Sequence, residues 1–341
     1  MIAWDHWHIE VSSICTLKCP RCPRSEVDQT LLNRQLSLEF FQQRIGANIV
    51  KQIQKITFCG NDGDPIYCRE FLEICAWIKQ TNPAIQLVII TNGSYKKPQW
   101  WAELGKILNA NDEIHWSLDG VDQASNQQYR VNCDWDSIVQ GIASFCSVNH
   151  STYRVWASIG FRFNQDLIET QVEMAKTLKF DAYQLTKSTK FGSKYPNAYG
   201  INDLLEPTNT SLVSSGFRFE RNTRLLSNRS RPGQQLRIIF KERADKLKLQ
   251  SHGAICMIGN KGVFVNSQGH FYPCCWVANR YPHNNDWQHR ASTQFDLKSK
   301  TFEEILKDTY WTTDFLKFDN LECQTKCTTA RLDDPHHTLD W

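Results

Sequence analysis

An α/β fold is predicted: a partial (β/α)6 barrel of TIM-like design over residues 1–190, a linker over 191–253, and a small α+β domain over 254–341. Three observations predict it. Short apolar runs alternate with segments of helical periodicity as far as Thr186, and strand–helix returns of that kind give a parallel sheet because each return needs a crossover. Each of the first four runs ends at a turn or short run built from Cys, Gly, Asn or Asp. After residue 190 the alternation stops, Gly, Pro, Ser and Asn breaks and charges take over, and a short β-like stretch appears between cysteines.

The first strand runs from His6 to Ser12, alternating around Ile9 and Val11 and ending before Cys15. Ser37 has the character of an N-cap, with Phe40, Phe41, Ile45 and Ile49 following on one helix face. Ile56 to Cys59 is the second strand, and Phe71, Ile74, Cys75 and Ile78 recur at helical spacing after it. Leu87 to Thr91 is the third, closed by Asn92-Gly93 and followed by a helix from Trp100 to Leu108. Ile114 to Leu118 is the fourth, closed by Asp119-Gly120, with Ile138, Ile142 and Phe145 on its helix. Val155 to Phe163 and Ala182 to Thr186 are the fifth and sixth, flanking a helix from Leu167 to Leu178. Beyond the linker, Gly262–Asn266 and Gly269–Pro273 read as a hairpin, and a helix is expected from Thr301 to Lys307.

Hydrophobic residues make up 41% of the 341, and twelve tryptophans with eighteen phenylalanines supply bulky core fillers. A net charge of +3 gives no global signal for a polyanionic partner. No apolar run approaches the length of a membrane span, and the first residues lack the basic-then-apolar design of a signal peptide. Cytoplasm is the expected setting. There, thirteen cysteines mean metal ligands or buried thiols rather than disulfides.

Cys15, Cys19 and Cys22 form a CxxxCxxC triplet. Three thiolates are one fewer than a closed site needs, and a 4Fe–4S cluster held this way keeps one iron open to a ligand that is not protein. Structural zinc takes four protein ligands and prefers CxxC pairs; zinc or buried thiols are the alternative. In barrels of this design chemistry lies at the C-terminal ends of the strands. The triplet follows the first strand, Gly60-Asn61-Asp62-Gly63-Asp64-Pro65 the second, Asn92-Gly93 the third and Asp119-Gly120 the fourth, so all four converge on one rim.

With these residues the chain resembles the radical S-adenosylmethionine (SAM) superfamily. The resemblance implies a cluster on Cys15, Cys19 and Cys22 whose open iron is chelated by SAM, and reductive cleavage of SAM to methionine and a 5′-deoxyadenosyl radical that abstracts a substrate hydrogen. The turn Gly60 to Pro65 is similar to the family's GGEP-type motif, whose backbone receives the SAM amino group; a backbone that close to a ligand calls for glycine. Asp64 stands where glutamate is usual, and Asn61 and Asp62 replace smaller residues; Asp62 and Asp64 also have a plain reading as turn formers. Asn92 and Ser117 match positions that bind the SAM ribose or carboxylate. Arg130 is a candidate carboxylate partner, Asn164 a further SAM contact, and Arg21 takes the place of an aromatic that leans on adenine.

The C-terminal cysteines resemble the twitch domain, the shorter relative of the SPASM domain: Cys256, then Gly269 to Cys274, then Cys323 and Cys327. The resemblance implies a small iron–sulfur domain whose four thiolates close a second, auxiliary 4Fe–4S cluster. A structural zinc suits four cysteines equally well, and Cys275 could stand in for one ligand. The implied activity is hydrogen abstraction leading to a two-electron oxidation or a cross-link of a small molecule or peptide, with the auxiliary cluster as electron acceptor and a reducing partner such as flavodoxin or ferredoxin. The chain opens almost directly on its first strand with no added leader-binding domain, which counts against a peptide unless a separate protein presents it. A non-catalytic iron–sulfur carrier or sensor is the rival reading.

A third reading, a nucleic-acid-modifying radical enzyme, rests on the segment Arg218 to Lys248, with ten basic and three acidic residues; a solvated linker or helix face explains it too. Arg154, Arg162, Lys187 and Lys190 are candidate substrate contacts, and no spacing selects a catalytic base. Cys59, Cys68, Cys75, Cys133 and Cys146 read as small core hydrophobes, and His6, His8, His336 and His337 as structural or surface residues.

Overall fold

The computed structural model describes residues 4–26, 31–188, 191, 204–219, 262–317 and 320–326. Nine strands form one sheet: β1 (His6–Ile9), β2 (Lys55–Phe58), β3 (Gln86–Thr91), β4 (Glu113–Ser117), β5 (Tyr153–Gly160), β6 (Ala182–Lys187), β7 (Ser215–Arg218), β8 (Val263–Val265) and β9 (Phe271–Tyr272). Their order is β7-β6-β5-β4-β3-β2-β1-β8-β9. β1 to β6 pair in parallel, each with its neighbour in sequence, as six β/α units require. The fold is therefore an α/β parallel sheet with helices, the partial barrel expected.

Helices return the chain between strands. After β1 come α1 (Pro23–Glu26), α2 (Leu38–Phe40) and α3 (Gly46–Gln52), the last two joined by a π turn at Phe41–Ile45. Ser37 caps α2 by accepting from the Phe40 N–H at 3.1 Å. α4 (Phe71–Thr81), α5 (Pro98–Ile107), the short α6 (Gln123–Asn126), α7 (Trp135–Val148) and α8 (Ile168–Thr177) cover the later crossovers. Asp134 caps α7 through the Ser137 N–H. Strand alternation sends Phe58, Trp116 and Trp156 to the helix side, where Phe58 meets Phe71 and Trp116 meets Trp101 and Phe145. His6, His8 and Glu10 face the other way, into the barrel, with His6 bonded to Thr57 and His8 to the Cys59 carbonyl.

Two features lie outside the sequence expectation. β7 falls in the linker and adds antiparallel to β6. The expected hairpin forms as β8 and β9, but β8 also pairs in parallel with β1, Trp7 opposite Val263 and Ile9 opposite Val265. The C-terminal hairpin thus continues the barrel's own sheet. Behind it lie α9 (Asn285–Thr293), α10 (Phe302–Leu306) and α11 (Leu321–Lys326), with Phe302 packed on Trp7 at 4.9 Å. The 253/254 boundary and most of the basic segment lie outside the described residues. No helix among the described residues is long and apolar enough to cross a membrane.

At the end of the barrel opposite the loop that carries Cys15, Cys19 and Cys22, Lys79 donates to Asp112 at 3.0 Å and to the Ile85 carbonyl at 2.8 Å. Asp112 is fully buried and also accepts from the Leu87 and Asn109 N–H groups. Lys79→Met leaves that carboxylate without its cation, and breaking a buried pair from one side costs about 3–5 kcal/mol. Urea unfolding followed by tryptophan fluorescence should show the variant's barrel transition at clearly lower denaturant; an unchanged midpoint would contradict this role.

Candidate active site

The loop leaving β1 carries Cys15, Cys19 and Cys22, and two neighbouring loops fasten it. Arg24 donates to the Ser13 carbonyl at 2.5 Å and to the Asp62 carbonyl at 2.9 Å, tying the loop to the turn after β2. The Asp64 N–H donates to the Ile14 carbonyl. Cys19 is buried, Cys15 and Cys22 half-buried. Burial, first of all, pushes the Cys15 and Cys19 thiols up to about 12; Asp64 and Cys22 add to the first, Cys22 and Cys15 to the second. Metal binding at these two therefore has to displace their protons.

The turn after β2 is packed too closely for side chains at its glycines. A Cβ on Gly60 would stand 2.7 Å from Glu10 Oε1, and one on Gly63 would overlap the Ser12 carbonyl oxygen. Asp64 is buried and central. It accepts from the Ile66 N–H, the Thr91 hydroxyl (2.9 Å), the Asn92 N–H (2.7 Å) and the Asn92 Nδ2 (2.6 Å). Burial still pushes its carboxyl up to about 6, against those bonds. Asn92 Nδ2 also reaches Cys15 Sγ at 3.8 Å, so one amide joins the β3 loop, the β2 turn and the first cysteine. Its Oδ1 accepts from the Ser94 N–H.

The other predicted residues divide. Ser117 ends β4, half-buried, and its hydroxyl has no hydrogen bond among the described residues. Arg130 donates through Nε to the fully buried Asp119 at 2.6 Å, and its terminal nitrogens have no partner among the described residues. It also interacts with Cys19, which places the guanidinium at the cysteine loop. Asn164 is fully buried, with Nδ2 donating to the Asp119 and Ile159 carbonyls and Oδ1 accepting from the Phe161 N–H. Its amide shapes the loop after β5. Arg21 is buried. The side chains of Asn61 and Asp62 turn toward the C-terminal segment, Asn61 donating to the Cys275 carbonyl at 3.0 Å and Asp62 accepting from Arg280 Nε at 2.9 Å. Arg154 is not at the rim: it lies at the start of β5, buried between Asp181 and Cys146. Arg162 holds the Glu206 carbonyl, and Lys187 is exposed at the end of β6.

Cys274 lies just after β9, buried, and Cys323 on α11, half-buried; Cys256, Cys327 and Lys190 lie outside the described residues. Among the described residues no three Cys, His, Asp or Glu side chains are gathered to hold a single metal ion. A cubane makes a different demand, since each thiolate takes a different iron. The donor set after β1 fits that demand: three thiols on one loop, a close-packed glycine turn beside them, and a guanidinium with unengaged nitrogens at the same rim.

Two residues of the site, Tyr67 and Glu10, escape the sequence reading, and a third, Cys59, reads from sequence as a core residue. Tyr67 bonds Thr16 at 2.6 Å and the Ser94 carbonyl at 3.0 Å, bracing the cysteine loop against the β3 loop. Glu10 is buried and accepts from the Asp62 N–H at 2.7 Å and the Ser267 N–H at 3.3 Å; burial and Asp62 push it up to about 7. A carboxylate on the inward face of a buried strand was the available signal. Cys59 sits among Asp64, Cys275 and Glu10 rather than in the apolar core, and burial raises its pKa well above the usual thiol range. Cys68, Cys75, Cys133 and Cys146 are buried, as read.

A partial barrel with a cysteine triplet after its first strand and a glycine turn after its second defines the class. Residues 9–167, from the end of β1 to the residue before α8, match the profile of the Radical SAM superfamily. No curated protein matches the chain. Among solved structures, the chain is similar to a tagged anSMEcpe with bound AdoMet, at TM-score 0.55 and 15% identity over 92% of this chain and 80% of that one. It is also similar to native anSMEcpe with bound AdoMet and the Cp18Cys peptide, at TM-score 0.54 and 12% identity over 92% and 82%. At such identities the likeness establishes a shared fold.

Proposed function

We propose that this chain is a radical SAM enzyme in which Cys15, Cys19 and Cys22 hold a 4Fe–4S cluster and the rim above β1 to β4 holds SAM. The observation that carries the reading is the Asn92 amide, bonded to Asp64 and touching Cys15 Sγ, which joins the cysteine loop to the glycine turn in one site. When bound and reduced, cluster and SAM supply a 5′-deoxyadenosyl radical for hydrogen abstraction. The chain's own residues bind and orient. The backbone of Gly60 to Asp64 offers close approach to the SAM amino group, and Ser117, at the end of β4, has a hydroxyl with no hydrogen bond among the described residues. Arg130, anchored by Asp119 through Nε, keeps its terminal nitrogens for a carboxylate.

The net reaction in this reading is a two-electron oxidation or cross-link of a small molecule or peptide. Cys256, Cys274, Cys323 and Cys327 hold an auxiliary 4Fe–4S cluster as electron acceptor, with a flavodoxin or ferredoxin as reductant. Shared fold with a structure solved with AdoMet and a peptide keeps the peptide class in view. Anaerobic reconstitution with iron and sulfide, then SAM and dithionite, is expected to yield 5′-deoxyadenosine and methionine. Absence of both from protein with full clusters would leave the non-catalytic carrier as the better reading.

A further inference from the structure

The turn that the proposed function assigns to SAM is gripped from two directions. From the barrel, Glu10 accepts the Asp62 N–H and Arg24 donates to the Asp62 carbonyl. From the C-terminal segment, Arg280 Nε donates to Asp62 Oδ1 across 218 positions of sequence, and the Cys275 carbonyl accepts from Asn61 across 214. Glu10 itself accepts from the Ser267 N–H in the β8–β9 turn, so the C-terminal segment meets the glycine turn at Asn61 and Asp62 and also the residue that grips it from the barrel. The Asp62–Arg280 pair is largely buried, with 15% and 14% of the side chains exposed. Among the described residues the terminal nitrogens of Arg280 are buried without a hydrogen-bond partner, which leaves Asp62 as the carboxylate that compensates its charge.

We infer that Arg280 is a positioning residue for SAM: by holding Asp62, and with the Cys275 carbonyl holding Asn61, the docked C-terminal segment sets the backbone of the Gly60–Asp64 turn in its ligand-binding orientation. The inference rests on the proposed function and deepens it. The side chains of Asn61 and Asp62 are bonded to this segment and that of Asp64 to Thr91 and Asn92, so what the turn offers a ligand is main chain, and main chain has no rotamer with which to correct a misplaced turn. The barrel holds the turn's main chain through Glu10, Arg24 and Asp64, while the side chains of Asn61 and Asp62 are held from the C-terminal segment. The SAM site is complete when the C-terminal segment is docked.

The test is a double-mutant cycle read as the Kd for SAM, by anaerobic equilibrium dialysis on full-length protein with its clusters reconstituted. Arg280→Ala is expected to weaken SAM tenfold or more while iron and sulfide contents stay at the wild-type level. Arg280→Lys should restore most of the affinity, and Asp62→Ala/Arg280→Ala should be no weaker than Asp62→Ala alone. Should Arg280→Ala fail to fold, Asn61→Ala removes the independent bond to Cys275 and is expected to weaken SAM severalfold. A Kd within twofold of wild type for Arg280→Ala, or for Asn61→Ala in its place, overturns the inference; so do losses that multiply independently in the double variant. Wild-type protein with full clusters that binds no SAM overturns the proposed function, and the inference with it.

Discussion

Replacing Cys15, Cys19 and Cys22 together with alanine is expected to abolish 5′-deoxyadenosine formation and leave about four irons per chain, the content of one cubane. Cys59, next to Gly60, is not expected to stand in, because burial and then Asp64, Cys275 and Glu10 push its thiol toward the neutral form. The remaining irons would be those of the C-terminal cysteines. The two numbers report separately, activity on the triplet and iron on the auxiliary set. Product formation above background in the triple variant would remove the triplet from the reaction. Full loss of iron would leave the auxiliary cluster without support, with zinc content deciding whether a structural ion sits there instead.

The barrel was legible because its signal is local. Runs such as Leu87 to Thr91 and Ile114 to Leu118 are apolar enough to be strands buried on both faces, and the turns after them carry the site residues, so strand order alone put four loops on one rim. What escaped is non-local or weakly patterned. β7, with Ser215, Gly216, Phe217 and Arg218, is mostly exposed and has no apolar alternation to betray it. The pairing of Val263–Val265 with β1 joins residues about 250 apart, and nothing in a three-residue strand names its partner. The same distance hid the roles of Asn61 and Asp62. Their place in the turn points to ligand contact through main chain, while their side chains are bonded to the Cys275 carbonyl and Arg280, whose approach accompanies that unpredicted pairing. Asn164 follows the same logic at short range: its three backbone bonds belong to the loop geometry after β5, which periodicity does not describe.

Gly63→Ala should be the most damaging single change in the turn. Its added methyl would overlap the Ser12 carbonyl oxygen and stand 2.7 Å from the Ser13 carbonyl carbon. Those are main-chain atoms with no rotamer to yield, and they are themselves fixed. Ser13 donates to the Leu32 carbonyl, pairs with Arg34 through main chain and hydroxyl, and receives Arg24 on its carbonyl. Relief therefore has to come from moving the glycine turn or the cysteine loop as a body, and each carries half of the site. Overpacking of this kind costs about 1–3 kcal/mol in a well-packed interior, and more where backbone meets backbone. The expected outcome is a lowered thermal midpoint together with loss of measurable SAM binding, and a fall in iron bound by the triplet as Cys15 is displaced from Asn92. Gly216→Ala is the control. Its Cβ meets nothing closer than the Tyr183 carbonyl oxygen at 3.8 Å, so that variant should melt and bind as wild type. If Gly63→Ala behaves like Gly216→Ala, the turn is looser than its packing implies, and close approach of its backbone to a ligand loses its physical basis.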